Sequence, residues 1–252
     1  MSGHSKWSTI KRKKEATDAK RGKIFTRLAR EITVAAQKGG GDPEANFALR
    51  LAVERARAAN MPKENIERAI KRGTGEDKEG GALEEVLYEA YAGHGVAVLI
   101  EVVTDNRNRT ISELKHALTK MGGSMAEPGS VTWQFEQKGS ITVPAGKMSF
   151  DDLFMIAADA GAEDVVDGAE YIEITTPREE LHTVLSALEA AGVEVDDASL
   201  QWVAKTPLDL DPAVAMKVMG GIEALEELDD TQNVYSNLNI TDELLAALEA
   251  AS

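Results

Sequence analysis

The period of the apolar residues changes once along this chain, and that change limits its fold more than any other feature. Up to Gly73 apolar side chains recur at helical spacing. Beyond the polar, glycine-rich stretch 74–81 they fall into short β-branched runs that alternate with helical segments. The first part is therefore expected to be helical. A helix over about 19–37 stops at Lys38-Gly39-Gly40-Gly41. A second starts at Asp42-Pro43, with Asp as N-cap and Pro in the first turn, and carries Phe47, Leu51, Ala52 and Ala56 toward a partner. Pro62 opens a third, with Ile66, Ala69 and Ile70 inward and Gly73 as its stop.

After the linker, residues 86–91 and 96–103 read as strands joined by a hairpin at 92–95, followed by a helix over 106–121. Residues 131–135 and 140–143 flank Gln137-Lys138-Gly139 as a second hairpin. Ser149 and Asp152 resemble a capping box for a helix over 153–160. A β pair follows at 165–166 and 171–174, then a helix capped by residues 176–179 and running to Leu188. Residues 193–195 and 200–203 are extended. Asp211-Pro212 starts a helix to about 228, residues 234–240 form a last strand, and Thr241 caps a short C-terminal helix. Helices interleaved with antiparallel hairpins indicate α+β sandwiches. The expected division is a basic helical domain over 1–77, an α+β domain over 78–134 with 206–240, an inserted α+β domain over 135–205, and a terminal helix over 241–252.

Charge divides the chain at the same place. Residues 1–73 hold 18 Lys and Arg against 8 Asp and Glu, a net of +10; the rest holds 10 against 35, a net of −25. Net charge is evidence about partners and not about fold, and a split of this size points to an attached reader of nucleic acid or another polyanion. Cysteine is absent, which removes disulfides, thiol catalysis and thiolate metal sites together. Lys6 and residues 11–14 stand where a signal peptide would need an apolar stretch, and no apolar run reaches membrane-spanning length, so a soluble cytoplasmic protein is expected.

The first thirty residues concentrate the candidate chemistry: Lys6, Lys11, Arg12, Lys13, Lys14, Lys20, Arg21, Lys23, Arg27 and Arg30, against Glu15 and Asp18 alone. On a helix Lys20, Lys23, Arg27 and Arg30 fall on one stripe, opposite Ile24, Phe25, Leu28, Ile32 and Ala36. Such a helix has a core face and a cationic face suited to a phosphate backbone. Trp7 has two readings, a base-stacking ring or an anchor for the arm. On the third helix most charges have partners four residues away, which leaves Lys71 and Arg72 for contacts. Arg107 and Arg109 precede or open a helix; they either hold phosphate there or pair with neighbouring carboxylates.

Enzyme templates fail. There is no phosphate-binding G-x-x-x-x-G-K-[ST] loop, no H-E-x-x-H and no G-x-S-x-G, and the four histidines are scattered. The pairs Asp151-Asp152, Asp196-Asp197 and Asp229-Asp230 read as solvated surface or caps. No catalytic residue, metal or cofactor is expected.

Gly3-His4-Ser5-Lys6-Trp7 with Ile10-Lys11, and then residues 18–25, resemble the opening of the YebC/PmpR family, whose mitochondrial relatives include the translational activator of cytochrome oxidase subunit one. The resemblance continues through residues 60–66, Ala69-Ile70, residues 106–110, Gly129-Ser130-Val131 and residues 232–237. It implies three domains, the third inserted into the second, and a non-enzymatic protein. Members are described as DNA-binding transcriptional regulators and as ribosome-associated factors that help translation through proline-rich stretches. The expected partner is thus rRNA in the ribosome, or DNA. The alternative is an interaction module whose acidic domains hold a basic protein, with the arm packed intramolecularly.

Overall fold

The computed structural model describes residues 18–77, 82–168, 170–241 and 244, and of residues 18–21 the backbone alone. Three helices form domain I: α1 (Asp18–Gly39), α2 (Phe47–Ala58) and α3 (Lys63–Thr74). Ile32, Ala35 and Ala36 of α1 meet Leu49, Ala52, Val53 and Ala56 of α2 and Ile66 and Ala69 of α3 in a buried cluster.

Two boundaries differ from the sequence reading. Asn46, not Asp42, caps α2: its side-chain oxygen accepts from Leu49 N at 3.2 Å, while its amide donates to the Ala35 and Gly40 carbonyls. Asp42 serves the preceding turn, accepting from Glu44 N. Gly73 does not stop α3; that role falls to Gly75, at φ 77°. Gly73 is inside the helix because α1 passes too close for a side chain. A Cβ there would lie 2.4 Å from the Thr33 carbonyl oxygen.

Domain II is a four-stranded antiparallel sheet in the order β3-β1-β2-β8, built from β1 (Glu84–Tyr91), β2 (Ala97–Thr104), β3 (Ser124–Met125) and β8 (Thr231–Ser236). Helices α4 (Arg107–Lys120) and α7 (Pro212–Glu226) cover one face, where Val98, Ile100 and Val102 meet Leu114, Leu118, Met219 and Ile222. The other face of β2 is also covered. Ala97 and Leu99 pack with Phe135 and Tyr235, and Val103 packs with Val34 of α1. This explains why β2 is apolar on both sides.

Domain III is inserted between β3 and α7. Its antiparallel sheet runs β5-β6-β4-β7, from β4 (Phe135–Pro144), β5 (Asp164–Asp167), β6 (Tyr171–Pro177) and β7 (Asp197–Ala204), with α5 (Phe150–Asp159) and α6 (Leu181–Ala190) on one face. The hairpin expected at Gln137-Lys138-Gly139 is absent: β4 runs straight through it, paired on both edges. Gly139 marks a close approach instead of a turn, since a Cβ would meet Thr176 Oγ1 at 2.2 Å and Leu181 Cβ at 2.9 Å. Thr176 likewise lies in β6 and caps nothing.

Helix α2 ties domain I to domain III by having two apolar faces. Leu49, Ala52, Val53 and Ala56 look inward, while Leu51 and Phe47 join the domain III core. Phe47 stacks on His182 of α6 with ring centroids 4.4 Å apart. Arg55 pairs with Glu31 of α1 and lies 3.9 Å from Asp197 of β7.

Candidate nucleic-acid interface

Helix α1 has the two faces expected of it, but the second is turned toward domain II. Lys23 Nζ donates to the Glu227 carbonyl, Arg27 Nη1 to the Gln232 carbonyl at 3.2 Å, and Arg30 Nη1 to the Asp229 carbonyl. The Glu227 and Asp229 carbonyls lie at and just beyond the C-terminus of α7, whose C-cap is Glu227, and the Gln232 carbonyl lies in β8. The negative end of a helix macrodipole, with its unsatisfied carbonyls, attracts cations. A stripe with the spacing of two helical turns thus finds a protein surface that satisfies it.

Asp230 is the centre of this junction. Its side chain is 1% exposed and lies 3.0 Å from Arg30 Nη1 and 2.8 Å from Arg109 Nη2. Thr104 Oγ1 donates to it at 3.0 Å and Thr110 Oγ1 at 2.6 Å. Burial pushes this carboxyl up, but the hydrogen bonds from Thr110, Arg109 and Thr104 and the charge of Arg30 outweigh burial and hold it below the usual carboxylate range. The reading of Asp229-Asp230 as solvated surface fails at Asp230. Neighbouring residues carry no signal of this, because both threonines and both arginines are distant in sequence.

The second basic point is also paired. Asn106 caps α4 by accepting from Arg109 N at 3.1 Å. Arg109 divides its guanidinium between Asp105 and Asp230, and Arg107 Nε lies 2.5 Å from Glu84. Of the two readings of Arg107 and Arg109, pairing with carboxylates is the one observed. In this structure Lys23, Arg27, Arg30, Arg107 and Arg109 all make ties within the chain.

Further cations of domain I are spread over α2 and α3. Lys71 is exposed and Arg72 half-buried in the last turn of α3, and Arg57 and Arg68 are exposed on α2 and α3. Lys6, Trp7, Lys11, Arg12, Lys13 and Lys14 lie outside the described residues. Lys20 and Arg21 occupy the first turn of α1.

Sequence reasoning also missed two carboxylates, Glu89, which is buried, and Glu101, which is half-buried. Glu89, 8% exposed, accepts from Gly129 N, Val131 N and Thr132 N at 2.5–2.8 Å. Burial pushes it up, yet these hydrogen bonds lower it further than burial raises it. They fix the loop that presents Trp133, a residue 67% exposed. Glu101 lines a cleft of about 830 Å³ between the three domains and is raised by burial, against hydrogen bonds from Asn233, Tyr235 and Trp202. Both carboxylates serve as acceptors for neighbouring groups. Among the described residues no three His, Asp or Glu side chains converge as a metal site, and no helix is long and apolar enough to cross a membrane.

Comparison with known proteins covers nearly the whole chain. Residues 5–76 match the family model described as the TACO1/YebC protein N-terminal domain, and residues 83–238 match that of the TACO1/YebC second and third domain. A probable transcriptional regulatory protein of Chlorobaculum tepidum is 49% identical over 250 residues, with 99% of each chain covered. One from Roseiflexus castenholzii is 54% identical over 248 residues, 97% of each chain. The crystal structure of a conserved hypothetical protein from Aquifex aeolicus is similar at a TM-score of 0.84 and 49% identity, covering 90% of this chain and 94% of that one.

Proposed function

The chain belongs to the TACO1/YebC family, matched over residues 5–76 and 83–238, and on that premise we propose that it is a nucleic-acid-binding regulator of gene expression and not an enzyme. The names of its relatives, probable transcriptional regulatory proteins, support a regulatory role. The observation that carries nucleic-acid binding is the charge of the first thirty residues, ten cations against two acids in a chain of net −15. With Lys23, Arg27 and Arg30 bound within the chain, the phosphate contacts fall to Lys6, residues 11–14, Lys20 and Arg21, supplemented by Lys71 and Arg72.

Structured RNA in the ribosome is favoured over a DNA operator. A recognition helix contacts base edges with the residues of its N-terminal turns. Helix α3, which follows α2 after a tight turn, has Glu64 and Glu67 exposed there. A body of net −25 beyond residue 73 also repels a long duplex, while a basic arm can reach a phosphate-lined cleft.

The test compares the intact chain with a full-length variant carrying Lys11→Gln, Arg12→Gln, Lys13→Gln and Lys14→Gln. Substitution is preferable to truncation at residue 30, which would remove Phe25 and Leu28 from the domain I core. Sedimentation with ribosomal particles that weakens with salt and is lost in the variant is the expected result. Four lost phosphate contacts lower the salt slope by about 3–4 units. Unchanged binding and slope in the variant refute the reading. Retention at the top of the gradient, with selection of one duplex over random competitor, moves the target to DNA.

A further inference from the structure

Helix α5 carries more apolar surface than its own domain covers. Its ten residues, Phe150–Asp159, include only three polar side chains, Asp151, Asp152 and Asp159. A helix apolar nearly all round is normally buried nearly all round. Leu153 and Ala157 do reach the domain III core, at 0% exposure. Phe154 and Met155 do not: they are 43% and 57% exposed, two of the four large apolar side chains exposed among the described residues. Phe150 and Phe154 sit one turn apart with ring centroids at 6.2 Å, and Ala158 extends the same stripe. The result is a second apolar face with an adaptable methionine at its edge.

Charge decides what can cover it. Asp151, Asp152 and Asp159 are all exposed, and α5 has no basic residue. Residues 135–205 hold 15 Asp and Glu against 4 Lys and Arg, a net of −11. Nucleic acid and an anionic lipid surface are both repelled. A second copy docked through this same face would bring two such fields together, because a two-fold contact opposes a patch to itself. A cationic partner with apolar side chains gains on both counts, burying the ridge while its charges meet the rim.

We propose that the α5 face is a docking surface for a basic amphipathic protein segment, one that presents an apolar ridge flanked by Lys or Arg. This surface belongs to domain III and is opposite in sign to the basic first thirty residues, so a basic protein and nucleic acid would not compete for the same charges.

The test uses the full chain and two synthetic amphipathic helices, one of leucine and lysine and one of leucine and glutamate, with binding read by fluorescence anisotropy. The lysine peptide is expected to bind and to weaken with salt, and the glutamate peptide is not. Phe154→Ser with Met155→Ser is expected to weaken binding by about tenfold or more. Asp151→Asn with Asp159→Asn weakens it less, and Glu113→Lys on α4 leaves it unchanged. All these positions are exposed or on a helix surface, and circular dichroism checks that each variant keeps its fold. Equal binding by the intact chain and the Phe154/Met155 variant overturns the proposal, as does absence of binding. Self-association of the intact chain that is lost in that variant also overturns it, and gives the face to a second copy.

Discussion

Replacing Asp230 by asparagine removes one charge from the point where domains I and II meet. The carboxylate takes hydrogen bonds from Thr104, Thr110 and Arg109 and an ion pair from Arg30. An asparagine amide fits the space but turns an N–H toward donors on one side. Breaking a buried ion pair by removing one partner costs about 3–5 kcal/mol when the orphaned charge stays buried. Here the cations can reach water, since Arg109 is 43% and Arg30 18% exposed, which lowers the expected loss to about 2–3 kcal/mol. For a chain of this size that corresponds to a melting shift of roughly 5–10 °C. The pH dependence follows from the depressed Asp230 carboxyl. Its contribution is complete above the unfolded carboxylate range and is lost as pH falls through the lower folded value. The gap between wild type and Asp230→Asn should therefore be constant from about pH 7 down to about pH 5, and close below about pH 4. Urea unfolding followed by tryptophan fluorescence at several pH values measures it. A gap under about 0.5 kcal/mol at neutral pH, or one that widens on acidification, refutes the reasoning.

Gly73 and Glu89 are two features that the sequence reading mistook or missed, and substitutions at each probe them. Gly73→Ala drives a methyl to 2.4 Å from the Thr33 carbonyl and is expected to destabilise by about 1–3 kcal/mol, whereas Gly22→Ala, with nothing within 4 Å, should stabilise by about 0.5–1 kcal/mol; thermal melts of both check the pair. Glu89→Gln leaves a neutral acceptor for three backbone N–H groups and should cost about 2 kcal/mol, with faster hydrogen exchange at Gly129, Val131 and Thr132; unchanged protection there would mean that the carboxylate does not hold the loop.

Helices and strands whose side chains follow one period, and the places where that period breaks, could be read from neighbouring residues alone. Helix α1, β1 and β2, helix α4 and the Asp211-Pro212 start of α7 were all legible, because neighbouring residues supply the cap or the periodicity. The charge split was legible for the same reason, being a local count. Approaches between segments distant in the chain were not legible and emerged only in the folded protein. Gly73 and Gly139 look like turn residues in the sequence and are contact points in the fold, because a glycine signals either a permissive φ or a missing side chain, and only the neighbour across the gap tells which. Asp230 reads as one of two adjacent surface acids, and becomes buried because Thr104, Thr110, Arg109 and Arg30 converge on it from three separate elements. The cationic stripe of α1 was visible at its correct spacing, but its partner was not. A lysine or arginine seeks negative potential from any source, and the C-terminus of α7 with the start of β8, some two hundred residues away in sequence, supplies it.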